Sequence, residues 1–101
     1  MFYNVLKAKD LVDLNGEKFT KQVLLQNNES CFDIVGLKKD EIIDTHTAMA
    51  DAAVYVIDGE IDIHFNAEKF NLDKGDIIMF KKDAEHKVVA KKDTKFFVIK
   101  V

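Results

Sequence analysis

The side chains that could do chemistry in this sequence are three histidines, one cysteine and a scatter of carboxylates. An imidazole can ligate a metal, move a proton near neutral pH, or hydrogen-bond a ligand. The single cysteine, Cys31, excludes an intrachain disulfide, and its apolar surroundings favour a small buried hydrophobe over a nucleophile. No catalytic triad pattern or phosphate-binding glycine loop accompanies these residues. Any reaction would therefore rest on the histidines.

Composition narrows the class of partner. The chain has 101 residues, enough for one domain (1–101) with a modest core. All fifteen basic residues are lysines and the formal net charge is −3, so the arginine forks and basic patches that bind nucleic acid are missing. No apolar run is long enough to span a bilayer, and no signal-peptide pattern is present. These features predict a cytoplasmic protein that binds neither nucleic acid nor membrane.

The elements that must position the histidines are short and rich in valine, isoleucine and phenylalanine, with turn-like clusters between them. The predicted strands are Lys21–Gln26, Cys31–Leu37, Glu41–His46, Val54–Ile57, Glu60–Asn66, Lys69–Leu72, Asp76–Lys81, His86–Ala90 and Lys95–Val101. Asp58-Gly59 is a strong hairpin signal, because glycine accepts the positive φ of a tight turn. Strands of this length and spacing predict an all-β fold, an antiparallel sandwich or barrel.

Two segments fit this pattern poorly. Ala8–Leu14 is compatible with a short helix or with a strand. Ala48–Ala53 has a high helix propensity, and a helix there would weaken the β interpretation.

Three strands are apolar at every position, namely Val54–Ile57, Ile77–Phe80 and Phe96–Ile99. A strand that is apolar on both faces needs cover on both. One face belongs to the interior of the fold, and the short N-terminal segment offers little cover for the other. This pattern predicts a homodimer in which outer faces pack together.

Two stretches resemble the conserved motifs of the cupin superfamily. The first runs from His46 to Glu60 and ends in the hairpin sequence Tyr55–Glu60; the second runs from Gly75 to Ala90 and opens with Gly75-Asp76. The resemblance covers about residues 37–101. It implies a cupin-like double-stranded β-helix, the RmlC-like jelly-roll barrel.

The same resemblance implies a metal site that has lost half of its ligands. His46 falls at the first histidine of the first motif, and His86 falls at the histidine of the second. The family's other histidine and its glutamate fall on Ala48 and Ala52, and a terminal asparagine falls on Ala90. An alanine side chain has no lone pair to donate.

A substitute carboxylate could restore the ligand set, because two imidazoles alone satisfy neither a non-haem iron site nor a catalytic zinc site. Asp44 shares strand parity with His46, so we expect it on the same face of the sheet. Asp51 is one residue from the lost glutamate and of opposite parity, so we expect it to point away.

These observations predict a pocket in the barrel lined by His46, Ala48, Ala52, His86 and Ala90. The main hypothesis is a module that binds or senses a small molecule there without a cofactor. The alternative is a metal-dependent cupin enzyme of oxygenase or isomerase type, with iron, zinc, nickel or manganese held by His46, His86 and either Asp44 or water. A second alternative is a non-catalytic dimeric interaction protein with a relic pocket.

Overall fold

Two antiparallel β-sheets face each other in the computed structural model, which describes residues 3–15 and 19–101. The strands are β1 (Thr20–Gln26), β2 (Cys31–Leu37), β3 (Ile42–Thr47), β4 (Ala52–Asp58), β5 (Glu60–His64), β6 (Lys69–Asp73), β7 (Ile77–Phe80), β8 (Glu85–Ala90) and β9 (Thr94–Lys100). One sheet has the order β1-β2-β9-β4-β7, and the other has the order β3-β8-β5-β6. The predicted all-β, jelly-roll class is confirmed. β1 and β2, which precede the expected barrel boundary at residue 37, complete the five-stranded sheet.

The hydrophobic core lies between the sheets and follows the alternation along each strand. On β4, Val54 and Val56 are buried against the facing sheet, while Tyr55 between them points outward and is half-buried. From the other sheet, Ile61 and Ile63 of β5 are fully buried. Burying an aliphatic or aromatic side chain of this size contributes about 1.5–3 kcal/mol. The core residues are Val35, Leu37, Val54, Val56, Ile61, Ile63, Leu72, Val88, Ala90 and Phe96.

The hairpin between β4 and β5 turns at Gly59, as its sequence predicts. Gly59 has φ +96°, a left-handed conformation that side chains with a Cβ avoid. A Cβ there would also collide with the backbone of Asp93 and Thr94 in the turn that precedes β9. Thr94 is fully buried, and its hydroxyl accepts a hydrogen bond from the Glu60 amide at 3.0 Å. The two turns therefore lock together at one end of the sandwich.

The N-terminal segment lies over the outer face of the five-stranded sheet. Ala8–Asp10 forms one turn of 3-10 helix, and the chain beyond it is irregular. The segment Ala8–Leu14, for which the sequence allowed a short helix or a strand, is therefore helical only in its first three residues and contains no strand. Leu14 and Val12 pack so closely on Gly36 that a Cβ at that position would lie 2.7 Å from Leu14 and 3.0 Å from Val12. Within residues 3–15 and 19–101, no helix is long and apolar enough to cross a membrane.

Ala48–Ala53 does not form a helix. The Ala48 amide donates to the Ala84 carbonyl at 3.0 Å, and the Ala48 carbonyl accepts from the Asp83 amide at 2.9 Å. These hydrogen bonds join segments that are distant in sequence. Together with the pairing of Ala52 on β4 with Phe80 and Lys100, they use the backbone groups that a helix would need. Tertiary pairing thus overrides the local preference of an alanine-rich segment.

Candidate functional site

A cavity of about 280 Å³ lies between the sheets beside the ends of β3 and β4. Its lining residues are Phe19, Lys21, Asp33, Val35, Ile43, His46, Thr47, Ala48, Met49, Ala50, Ala52, Val54, Phe80, His86, Val88, Phe96, Val98 and Lys100. Exposed residues such as His46 and Met49 form its rim. Buried Val54, Val88 and Phe96 form its floor. The cavity is therefore a pit with both a polar and an apolar side chain at its rim and an apolar base.

The two histidines of the cavity are cross-strand neighbours. His46 on β3 pairs directly with His86 on β8, and side chains opposite each other on antiparallel strands lie on the same face. Their ring centroids are 4.1 Å apart, with an interplanar angle of 59°. The strand register thus brings together the two imidazoles that the sequence singled out.

Each imidazole is fixed by a hydrogen bond from its Nδ1 to a backbone carbonyl. His46 Nδ1 lies 3.0 Å from the Asp44 oxygen, and His86 Nδ1 lies 3.1 Å from the Ala84 oxygen. A carbonyl oxygen only accepts, so the proton of each neutral ring is on Nδ1 and Nε2 carries a lone pair. The hydrogen bonds of the described residues leave both Nε2 atoms unused. The site therefore offers two fixed acceptors, each able to bind a donor group or to act as a base.

His86 is the more buried of the pair, with 7% of its surface exposed. Its ring packs 4.7 Å from that of Phe80 and 6.1 Å from that of Phe65, centroid to centroid. Burial lowers the pKa of His86, and the nearby His46 and Lys100 lower it further against the opposing effect of the bond to Ala84. The ring is consequently neutral at pH 7.

The predicted pocket residues divide into two groups. His46, Ala48, Ala52 and His86 line the cavity. Ala90 does not; it is fully buried among the core side chains, below the cavity floor and two positions beyond Val88 on the same face of β8. The expectation for Ala90 was wrong because the core fills the barrel before the strand reaches that residue.

Asp44 does not line the cavity either. The pairing of β3 with β8 shifts register between Ile43 and His46, and this irregularity resets the alternation on which its predicted position rested. Both Ile43 and His46 face the cavity, although they are three residues apart. The exposed Asp44 carboxylate instead accepts from the Thr45 amide at 2.7 Å.

Asp51 points away from the cavity, as its parity predicts. Its carboxylate accepts from the Lys82 amide at 2.9 Å and pairs with Lys81 at 3.3 Å, contacts that lower the pKa of Asp51. It therefore ties β4 to the turn after β7.

A metal ion does not fit the residues of this site. No group of three or more histidine, cysteine or carboxylate side chains comes together in residues 3–15 and 19–101. Alanine occupies two positions, Ala48 and Ala52, in the lining of the same cavity. Non-haem iron needs two histidines and a carboxylate on one face, and catalytic zinc needs three protein ligands. His46 and His86 supply only two donors, fewer than either kind of metal site requires.

The charged wall of the cavity was missed from the sequence. Asp33 on β2 is 1% exposed; it accepts from the Cys31 thiol at 2.8 Å and pairs with Lys21 at 3.5 Å. The bond to Asp33 raises the pKa of the Cys31 thiol, which argues against a nucleophilic thiolate. Lys100 on β9 lines the same cavity. A lone aspartate between the apolar residues Phe32 and Ile34 was the one available signal.

The comparisons agree with the fold and define the family. The cupin domain family (Cupin_2) matches residues 34–101, about two thirds of the chain. The protein belongs to the cupin domain family. No curated protein matches the chain significantly.

Solved structures repeat the same architecture. A cupin superfamily protein from Desulfitobacterium hafniense DCB-2 superposes with a TM-score of 0.90 at 18% identity, covering 100% of this chain and 93% of that one. A conserved protein of unknown function from Streptococcus pyogenes gives 0.89 at 20% identity, covering 100% and 89%. KdgF from Halomonas sp. gives 0.81 at 15% identity, covering 98% and 92%. At these identities the likeness shows the fold alone.

Proposed function

We propose that this cupin binds a small organic molecule in the cavity, with His46 and His86 as the polar contacts and no metal between them. The observation that carries this proposal is the pair of imidazoles fixed through Nδ1, each leaving an acceptor at a cavity wall. The ligand would present donor groups, such as hydroxyl or amide N–H, to the two Nε2 atoms. A few fixed polar groups in a largely apolar pocket are typical of ligand sites.

The size of the cavity limits the ligand. Pockets for drug-sized molecules measure roughly 300–1,000 Å³, and this cavity holds about 280 Å³. The apolar floor formed by Val54, Val88 and Phe96 suits a ring or a short hydrocarbon body. A metabolite with one ring or fewer than about a dozen non-hydrogen atoms fits this combination.

Filling the cavity tests this proposal. Ala52 is buried at the cavity wall, whereas Ala53 is its neighbour on the opposite face of β4. We expect fragments that shift the NMR signals of the His46 and His86 rings in the wild type to lose binding in Ala52→Leu. The same fragments should bind Ala53→Leu with unchanged affinity, because that leucine lies outside the cavity.

Two results would contradict the proposal. One is a screen of small organic fragments in which none shifts the histidine ring signals. The other is a set of binders whose affinities Ala52→Leu leaves unchanged. Thermal unfolding of both variants controls for the cost of adding methyl groups to a packed region, about 1–3 kcal/mol when a core is overfilled.

A further inference from the structure

The cavity carries an excess of positive charge on the wall opposite the histidines. Two ammonium groups, those of Lys21 and Lys100, and one carboxylate, that of Asp33, are among its lining residues. Among the described residues that line the cavity, Asp33 is the only carboxylate, and the imidazole of His86 is neutral at pH 7. The cavity is thus positive in a chain whose net charge is −3. This local sign is opposite to that of the whole molecule.

Lys21 is already neutralised. It pairs with Asp33 at 3.5 Å, and the Asp33 side chain is only 2% exposed. The thiol of Cys31 donates to the other oxygen of the same carboxylate at 2.8 Å. A buried carboxylate needs such partners to offset its lost hydration. The Lys21–Asp33 pair is therefore a structural part of the cavity wall. The ammonium group of Lys100 is left as the excess positive charge of the lining.

Lys100 occupies an unusual place for an unpaired lysine. It lies on β9, the middle strand of the larger sheet, where it pairs with Cys31 on one side and Ala52 on the other. Its side chain is half-buried and forms no salt bridge within the described residues. An ammonium on the cavity wall without a counter-ion is free to pair with the opposite charge of a ligand. The positive charge of Lys100 acts to lower the pKa of both Cys31 and His86. Lys100 is therefore close to the histidine side of the cavity as well as to its own sheet.

We propose that the ligand of this cavity is a small organic acid, with its carboxylate at Lys100, its apolar body on the floor and a donor group at His46 and His86. This inference rests on the proposed function and adds to it the chemical class of the ligand. An inorganic anion would satisfy the ammonium but would leave the apolar floor, with Phe96 and Val98, without a partner. The floor therefore favours an organic acid over phosphate or sulfate.

Matched acids and amides test the charge. Para-hydroxybenzoate carries a carboxylate, a ring and a phenolic donor, and para-hydroxybenzamide has the same shape without the charge. We expect the acid to bind the wild type at least about tenfold more tightly, as a charge-assisted hydrogen bond would give. Lys100→Met should abolish this preference, and Lys74→Met, in the exposed turn between β6 and β7, should keep it. Calorimetry measures the affinities, and the histidine ring signals report the site.

The outcomes separate the inference from the proposed function. Equal affinity for acid and amide, or a preference that survives Lys100→Met, overturns the inference while the cavity remains a ligand site. Inorganic phosphate that displaces the acid at equal concentration overturns the assignment to an organic acid. If neither probe binds but other fragments do, the inference fails and the proposed function stands. If no fragment at all shifts the histidine rings, both fail.

Discussion

The burial of His86 and the charges around it make the stability of the protein depend on pH. Burial lowers its pKa below the ordinary value of about 6.5, and the charges of His46 and Lys100 act in the same direction. Lys21 and Asp33 also face the cavity, as an ion pair. The unfolded chain therefore binds a proton at this residue more readily than the folded protein does.

The resulting pH dependence has a definite sign. Because the pKa of His86 is lower in the folded state, stability is highest above about pH 6.5 and decreases as the pH falls towards the folded value. We expect urea unfolding to show this decrease between about pH 7.5 and about pH 5. His86→Asn should flatten the slope, and His64→Asn, on β5 outside the cavity, should retain it. A wild-type slope unchanged by His86→Asn would contradict this account of the site.

The metal content of the protein follows from the donor set. With two imidazoles and alanine at Ala48 and Ala52, we expect far less than one iron, zinc, nickel or manganese per chain in protein purified without an affinity tag. Elemental mass spectrometry measures this directly, and chelator should leave the thermal midpoint unchanged. Near-stoichiometric metal that disappears in the His46→Ala/His86→Ala variant would show a live metal site instead.

At the scale of elements, the sequence predicts the strands well because their turns are marked chemically. Asp58-Gly59 and Asp73-Lys74-Gly75 end strands at residues whose φ is positive in the structure, +96° at Gly59 and +91° at Gly75. The irregularity in β3 has no such mark. This irregularity moves Asp44 off the cavity face, and the local sequence between Ile43 and His46 contains no pattern that predicts it.

The charged wall could not be predicted for a different reason. Asp33 and Lys100 share a cavity only because β2 pairs with β9, a contact between segments distant in sequence. Periodicity assigns a residue to a face of its own strand, but it does not say which strands lie side by side. The histidine pair was found because a family resemblance supplied that missing register.

The two turn glycines predict a difference in stability that belongs to this scale. Gly75→Ala meets open space and should cost only the left-handed conformation, about 1–2 kcal/mol. Gly59→Ala pays the same penalty and also forces a Cβ against the backbone of Asp93 and Thr94. We expect Gly59→Ala to lose clearly more free energy of unfolding by urea denaturation. Equal losses would mean that the two turns are not locked together.

At the scale of the whole molecule, the outer face of the five-stranded sheet remains strongly apolar. Ile77 and Met79 on β7 are 53% and 73% exposed. Ile77 pairs with Tyr55, whose ring stacks on that of Phe97 with centroids 6.2 Å apart, and Met79 pairs with Ala53. An exposed apolar patch on a small protein marks a surface for association. We propose that this face pairs two copies of the chain.

Light scattering after size exclusion tests the dimer. We expect a dimer at micromolar concentration, and we expect Met79→Glu to convert it to a monomer by placing a charge in the apolar face. Met49→Glu is the matched control, because Met49 is also exposed but belongs to the cavity rim on the other side of β4. A monomeric wild type, or a dimer that Met79→Glu leaves intact, would rule out this interface.

The central claim is that two imidazole lone pairs hold an organic ligand in the cavity. The nitrogen NMR chemical shifts of the His46 and His86 rings test it most directly, in the free protein and with the tightest-binding fragment. We predict that each ring, when neutral, carries its proton on Nδ1 and a lone pair on Nε2, and that the Nε2 signals alone shift when the ligand donates to them. A neutral ring with its proton on Nε2 in the free protein, or Nε2 signals that stay fixed while a fragment fills the cavity, would contradict it.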